Sequence, residues 1–124
     1  MSTFQKLLLM IPSTEGCTAI ADAAGGIPNK VLIETVRVYP HLAELIAVMQ
    51  DNPRLHAETH LIGGLDSIDV LAREVGADRL LFGSGAPLYC IRAATLPIQN
   101  APLAEQDKER IFGGNVRDLL GVTR

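Results

Sequence analysis

Gly76-Ala77-Asp78-Arg79-Leu80-Leu81-Phe82-Gly83-Ser84-Gly85-Ala86-Pro87 runs from the end of one element, through a second, into a loop. Gly76 stands where a glycine closes a helix. Arg79 to Phe82 is a short apolar run, and Gly83 to Pro87 is a glycine and proline turn. A brief strand between a helix end and a glycine-rich loop is one βα step. The same figure recurs upstream. Leu55 to Leu61 leads through Gly63-Gly64 into a helix on which Ile68, Leu71, Ala72 and Val75 share a face, with Asp66 or Ser67 as its cap. Val31-Leu32-Ile33 leads through Tyr39-Pro40 into a helix carrying Leu42, Leu45, Ile46 and Met49 at helical spacing. Lys6 to Ile11 leads through Pro12-Ser13-Thr14 into a small-residue helix with Ile20, Ala21 and Ala24, stopped by Gly25-Gly26.

Downstream, a short helix from Ile91 is expected to break at Pro97 and Pro102. A helix over 105–112 should end at Gly113-Gly114-Asn115, where Asn115 can cap a last turn whose Val116, Leu119 and Leu120 face the core. Ala104 at the start of the 105–112 helix forgoes a capping side chain, at a cost of about 1 kcal/mol. Four βα units in tandem call for parallel pairing with helical crossovers. The fold class is therefore α/β, with strands apolar on both faces because helices cover the sheet.

The composition fits one domain over 1–124. The chain has 124 residues, 11 basic and 14 acidic side chains and a net charge of −3, which speaks against nucleic acid or anionic membrane as partner. Apolar residues make up 48% and aromatics 4%, so the core is aliphatic. Cys17 and Cys90 form no Cys-x-x-Cys pair, the usage of a reducing compartment. The apolar run Leu7 to Ile11 is too short for a signal sequence or a membrane span, so the expected location is cytoplasmic.

Three places carry a family likeness, one of them the looser spacing of Val31-Leu32-Ile33, the helix after Pro40, Asn52-Pro53 and Leu55 to Leu61, and two of them sharper. Gly76 to Pro87, and Leu103-Ala104-Glu105 through Ile111-Phe112-Gly113-Gly114-Asn115 to Gly121, resemble the C-terminal part of the amidohydrolase-related metal-dependent hydrolases. The resemblance is clearest over 30–121. It implies a (β/α)8 barrel of which this chain supplies strands 5 to 8, since a whole barrel needs roughly 250 residues. It implies hydrolase chemistry through a metal-activated water, with decarboxylation as the superfamily's other route. It also exposes departures. The family's strand-1 His-x-His pair is not encoded here, its strand-6 histidine aligns with Thr35, and its strand-8 aspartate, in Gly-Ser-Asp-x-Pro, aligns with Gly85. A divalent metal is thus a family cofactor for which this chain alone encodes no site.

The candidate catalytic residues are Glu34, Glu58 and His60, at the C-terminal strand ends where (β/α)8 active sites are built. An imidazole beside carboxylates there can move protons; the plainer account is a partly exposed ion pair of Glu34 with Arg37. His41 and His56 are weaker candidates, His56 because it opens its strand. The loops Gly63-Gly64 and Gly83-Ser84-Gly85 could hold an anionic small molecule on backbone N–H groups, or could simply be tight turns. That anion-binding, non-catalytic module is the alternative to a truncated or split amidohydrolase that is inactive or needs a second chain. Four strands of a barrel leave two open edges and an apolar face of Val31, Leu32, Ile33, Leu80, Leu81 and Phe82, so the expected partner is a second copy or a complementing half-barrel chain.

Overall fold

The computed structural model describes residues 9–12, 30–34, 38–60, 62, 66–88 and 90–121, with the backbone alone for 9–12, 34 and 38–41. Strands β1 (Leu9–Pro12), β2 (Val31–Glu34), β3 (Leu55–Glu58) and β4 (Leu80–Leu81) form one sheet in the order β1-β2-β3-β4. Every neighbouring pair is parallel, with Ile11 opposite Ile33, Ile33 opposite Ala57 and Ala57 opposite Leu80. Helix α1 (Val38–Asp51) follows β2, and α2 (Ser67–Val75) follows β3. A 3₁₀ turn over Ala77–Arg79 enters β4, and α3 (Ile91–Gln99), α4 (Glu105–Glu109) and α5 (Asn115–Leu120) complete the chain. The helix expected between Ser13 and Gly26, and the loop residues Thr35, Arg37, Gly63 and Gly64, lie outside the described residues.

Strand side chains alternate between faces, and that alternation corrects the expected open apolar face. Val31, Ile33, Leu55, Ala57 and Leu80 pack beneath the helices with Leu45, Met49, Ile68, Leu71, Ile98 and Ile111. Phe82 joins the edge of this cluster, its ring 5.3 Å from that of Phe112. Of the six residues expected on the far face, the alternation leaves Leu32 and Leu81, and both are buried. Three helix expectations also change. Asp66 adopts a left-handed conformation (φ 61°) and makes no side-chain cap, while Ser67 is buried in the first turn of α2. Pro97 lies inside α3 rather than ending it.

The third change concerns Gly113-Gly114-Asn115. These residues do not break the helix. Arg110–Gly114 form a π turn, with the Asn115 N–H bonded to the Arg110 carbonyl, and α4 runs through it into α5. Asn115 caps nothing. It is buried, and its Nδ2 donates to the Ala77 and Leu80 carbonyls at 2.7 and 2.8 Å. Val116 and Leu120, expected inward, are exposed. The longer turn sends Asn115 to the inner side and swings its neighbours outward.

This arrangement closes one sheet edge. The Thr59 N–H bonds the Leu81 carbonyl at 3.0 Å, so Leu81 addresses β3. In a parallel ladder the polar groups of Leu80 and Phe82 then point away from β3. The Leu80 carbonyl accepts from Asn115 Nδ2, and the Phe82 N–H donates to the Ile111 carbonyl at 2.9 Å. At the opposite end of the strands, the Arg79 guanidinium donates from Nε and Nη2 to the Leu55 carbonyl and from Nη2 to the Asn52 carbonyl at 2.6–3.0 Å, fastening β4 to the start of β3.

Asn115→Ala removes both donations and leaves buried carbonyls unsatisfied. The expected loss is about 2–3 kcal/mol of unfolding free energy, read from urea denaturation, and Asn115→Asp, which cannot donate, should cost at least as much. A pH effect follows from His56, whose Nδ1 lies 3.1 Å from the Arg54 carbonyl. Burial, the Lys30 and Arg79 charges adding to it, holds its pKa below the ordinary value, against the Arg54 carbonyl and Asp78. The unfolded chain therefore takes up this proton first, and the contribution of neutral His56 is lost as pH falls below about 6.5. Thermal melts of His56→Gln should lose that part of the acid slope.

Candidate functional site

Glu58 is the last residue of β3 and, two after His56, projects on the face opposite Leu55 and Ala57. Its side chain is about nine-tenths buried, as is that of His60. The chain turns back immediately after the strand, where the Ile62 N–H bonds the Thr59 carbonyl at 3.0 Å. That turn folds His60 over Glu58. Glu58 Oε1 accepts the His60 backbone N–H at 3.1 Å, and Oε2 is paired with His60 Nδ1. A carboxylate only accepts, so a hydrogen bond between the two requires His60 Nδ1 to be the donor. Beside this pair the buried Thr59 Oγ1 has no hydrogen-bond partner among the described residues.

The loop after β4 supplies the floor. A Cβ on Gly83 would overlap the Glu58 carboxylate and stand 2.8 Å from its Cγ, so a glycine is required for the carboxylate to lie there. Ser84 Oγ accepts the Ala86 N–H at 3.1 Å, and Gly85 has φ +68°, a left-handed conformation that suits glycine. In this loop, then, one glycine makes room for a carboxylate, and the serine holds the turn.

Of the candidates read from the sequence, the structure joins Glu58, His60 and Gly83. The Glu34 side chain and Gly63-Gly64 lie outside the described residues, although the Glu34 backbone ends β2. His56 is buried at the other end of β3. A cavity of about 390 Å³ lies between the start of α2 and the end of α3, lined by Ile68, Leu96, Pro97 and Asn100. Neither Glu58 nor His60 lines it. Sequence reasoning missed what Gly83 does. The signal was there, a glycine directly after an apolar strand beside one ending in Glu, but only the sheet register makes them neighbours. Among the described residues no group of three or more His, Cys, Asp or Glu could hold a metal ion.

A family model described as amidohydrolase matches residues 15–122. The chain belongs to the amidohydrolase family. Among solved structures, this amidohydrolase chain is similar to an uncharacterized TIM-barrel protein from Bordetella bronchiseptica, with TM-score 0.76 and 23% identity over 97% of this chain and 47% of that one. It is also similar to a dihydroxybenzoic acid decarboxylase from Polaromonas sp. JS666 with bound manganese, at TM-score 0.59 and 20% identity over 78% of this chain and 35% of that one. A 5-carboxyvanillate decarboxylase from Sphingomonas paucimobilis gives TM-score 0.61 and 14% identity over 84% of this chain and 37% of that one. These likenesses concern the fold, and the chain spans half or less of each relative's length. No curated protein sequence matches it. No helix among the described residues is long and apolar enough to cross a membrane.

The loop geometry sets a measurable order among variants at Gly85. Gly85→Ala should lower stability by about 1–2 kcal/mol, the cost of a left-handed backbone for an ordinary L-residue, and Gly85→Asn by less, since Asn tolerates that region. Chemical denaturation of the two side by side checks the order.

Proposed function

We propose that this amidohydrolase-family chain contributes to an active site that cleaves a bond in a small organic acid, with Glu58 and His60 moving the proton. The carrying observation is the pair itself: a carboxylate and an imidazole, both about nine-tenths buried and joined at Nδ1. They stand at the C-terminal strand ends, where (β/α)8 chemistry is placed. The chain corresponds on this reading to strands 5 to 8 of a barrel, and a complementing half-barrel chain or a second copy supplies the rest of the site. Decarboxylation is the first reaction to test. Losing CO₂ from an aromatic acid requires a proton delivered to carbon, which an acid/base pair performs; hydrolysis asks in addition for an activated water. The fold neighbours named as decarboxylases of hydroxylated benzoates favour the same choice.

The test is turnover of a panel of hydroxybenzoates, with amides and lactones as the hydrolytic arm, assayed with and without Mn²⁺. Substrate loss is followed by liquid chromatography and particle mass by light scattering. Turnover that falls about 10²–10⁴-fold in Glu58→Gln and His60→Gln, in a particle larger than 13.3 kDa, is the expected result. Activity indifferent to both substitutions, or a folded protein inert toward both arms in every assembly state, would overturn the reading.

A further inference from the structure

Gly83 poses a specific question: why is it a glycine. The positive-φ glycines among the described residues are Gly76, Gly85 and Gly121, so the backbone angle at Gly83 does not ask for one. Space does. The three atoms nearest to a Cβ on Gly83 all belong to the Glu58 side chain: its Oε1, Cδ and Cγ. By contrast Gly114, in the helical π turn, has room for a Cβ, its nearest neighbour being the Glu109 carbonyl at 3.6 Å. A glycine next to a strand end costs backbone entropy, and here the return on it is the seat of one buried carboxylate.

We infer that Gly83 is a positioning residue: it seats the Glu58 carboxylate against His60 Nδ1, which holds the His60 ring in the Nδ1–H tautomer and makes Nε2 the atom that exchanges a proton with substrate. The inference rests on the proton-handling role proposed above for the pair. Four observations meet in it. Glu58 Oε1 is anchored by the His60 backbone N–H, so the carboxylate is held from its own turn. Its Oε2 faces Nδ1. Both side chains are buried to about nine-tenths, so water does not compete freely for either. The floor beneath is the backbone at Gly83, which β4 carries and Asn115 and Arg79 hold in place. A carboxylate on one ring nitrogen fixes which nitrogen carries the lone pair. In the forward step a substrate X–H bond breaks, its electrons stay on X, and the proton bonds Nε2; the imidazolium then shares its Nδ1–H with Glu58, which stays ionised. The reverse step returns the proton to carbon or to a leaving atom.

The tautomer can be read without turnover. Long-range ¹H–¹⁵N correlation spectra of the full chain resolve ring nitrogens, and three histidines in the sequence make assignment by His60→Gln direct. At neutral pH, wild-type His60 should show a protonated Nδ1 and an unprotonated Nε2. Glu58→Gln and Gly83→Ala should each lose that pattern and show mixed tautomers, while Gly114→Ala, the same atom added where it fits, should keep it. Where Gly83→Ala alone does not fold, Glu58→Ala/Gly83→Ala should, because the overlapping atoms are gone. In the Glu58→Ala background, Gly83→Ala should have no further effect on the His60 ring.

An Nε2–H tautomer in the wild type would overturn the inference. So would a Gly83→Ala spectrum like the wild type, or an effect of Gly83→Ala that persists without Glu58. Absence of turnover in the assays of the previous section leaves these spectra untouched, so the two ideas fail separately.

Discussion

The bonds from Asn115 Nδ2 to the Ala77 and Leu80 carbonyls tie the C-terminal helical segment to the shortest strand of the sheet. Much else follows from that tie. β4 is two residues long and could not hold its own position by ladder bonds alone. Arg79 fastens its start to β3, Asn115 and the Ile111 carbonyl fasten its outer edge, and Leu80 and Ile111 share the core beneath. A strand so held carries Gly83 to a defined place. Because Gly83 is the floor under Glu58, a polar clamp at one end of the sheet bears on the Glu58–His60 pair at the other.

The π turn is what lets one segment make both contacts. A helix continued at regular pitch would have put Asn115 on a different side. One wider turn presents the Ile111 carbonyl to Phe82 and the Asn115 amide to Leu80, two polar groups of the same strand edge. Glycines at 113 and 114 keep bulk out of that turn, and Gly114 is not confined sterically. An edge whose outward N–H and C=O groups are satisfied in this way presents less to an incoming strand.

The sequence made several features legible, each for a local reason. Short apolar runs followed by helical spacing reveal the βα order, because burial on both faces and amphipathic covering helices leave period and length in the sequence. Glu58 and His60 were readable as strand-end residues, and family membership was readable in the Gly76–Pro87 and Leu103–Gly121 segments. What misled were residues whose usual local role was overruled by a distant partner. Asn115 has the chemistry of a cap and instead spends its donors 35 and 38 residues away. Pro97 and Gly113-Gly114 read as breaks, yet the helices pass through them because packing stabilises what propensity disfavours.

By itself, then, the sequence determined the class of fold, the order of its elements, the aliphatic core and the placing of a glutamate and a histidine at a strand end. These depend on periodicity and residue chemistry, which are written along the chain. Only the tertiary structure decided which residues meet: that Leu32 and Leu81 part company with Val31, Ile33 and Leu80 across the sheet, that Asn115 closes an edge, and that Gly83 lies under Glu58. Side-chain neighbours across parallel strands are set by register, and register arises from the packing of the whole layer, not from any one segment of it.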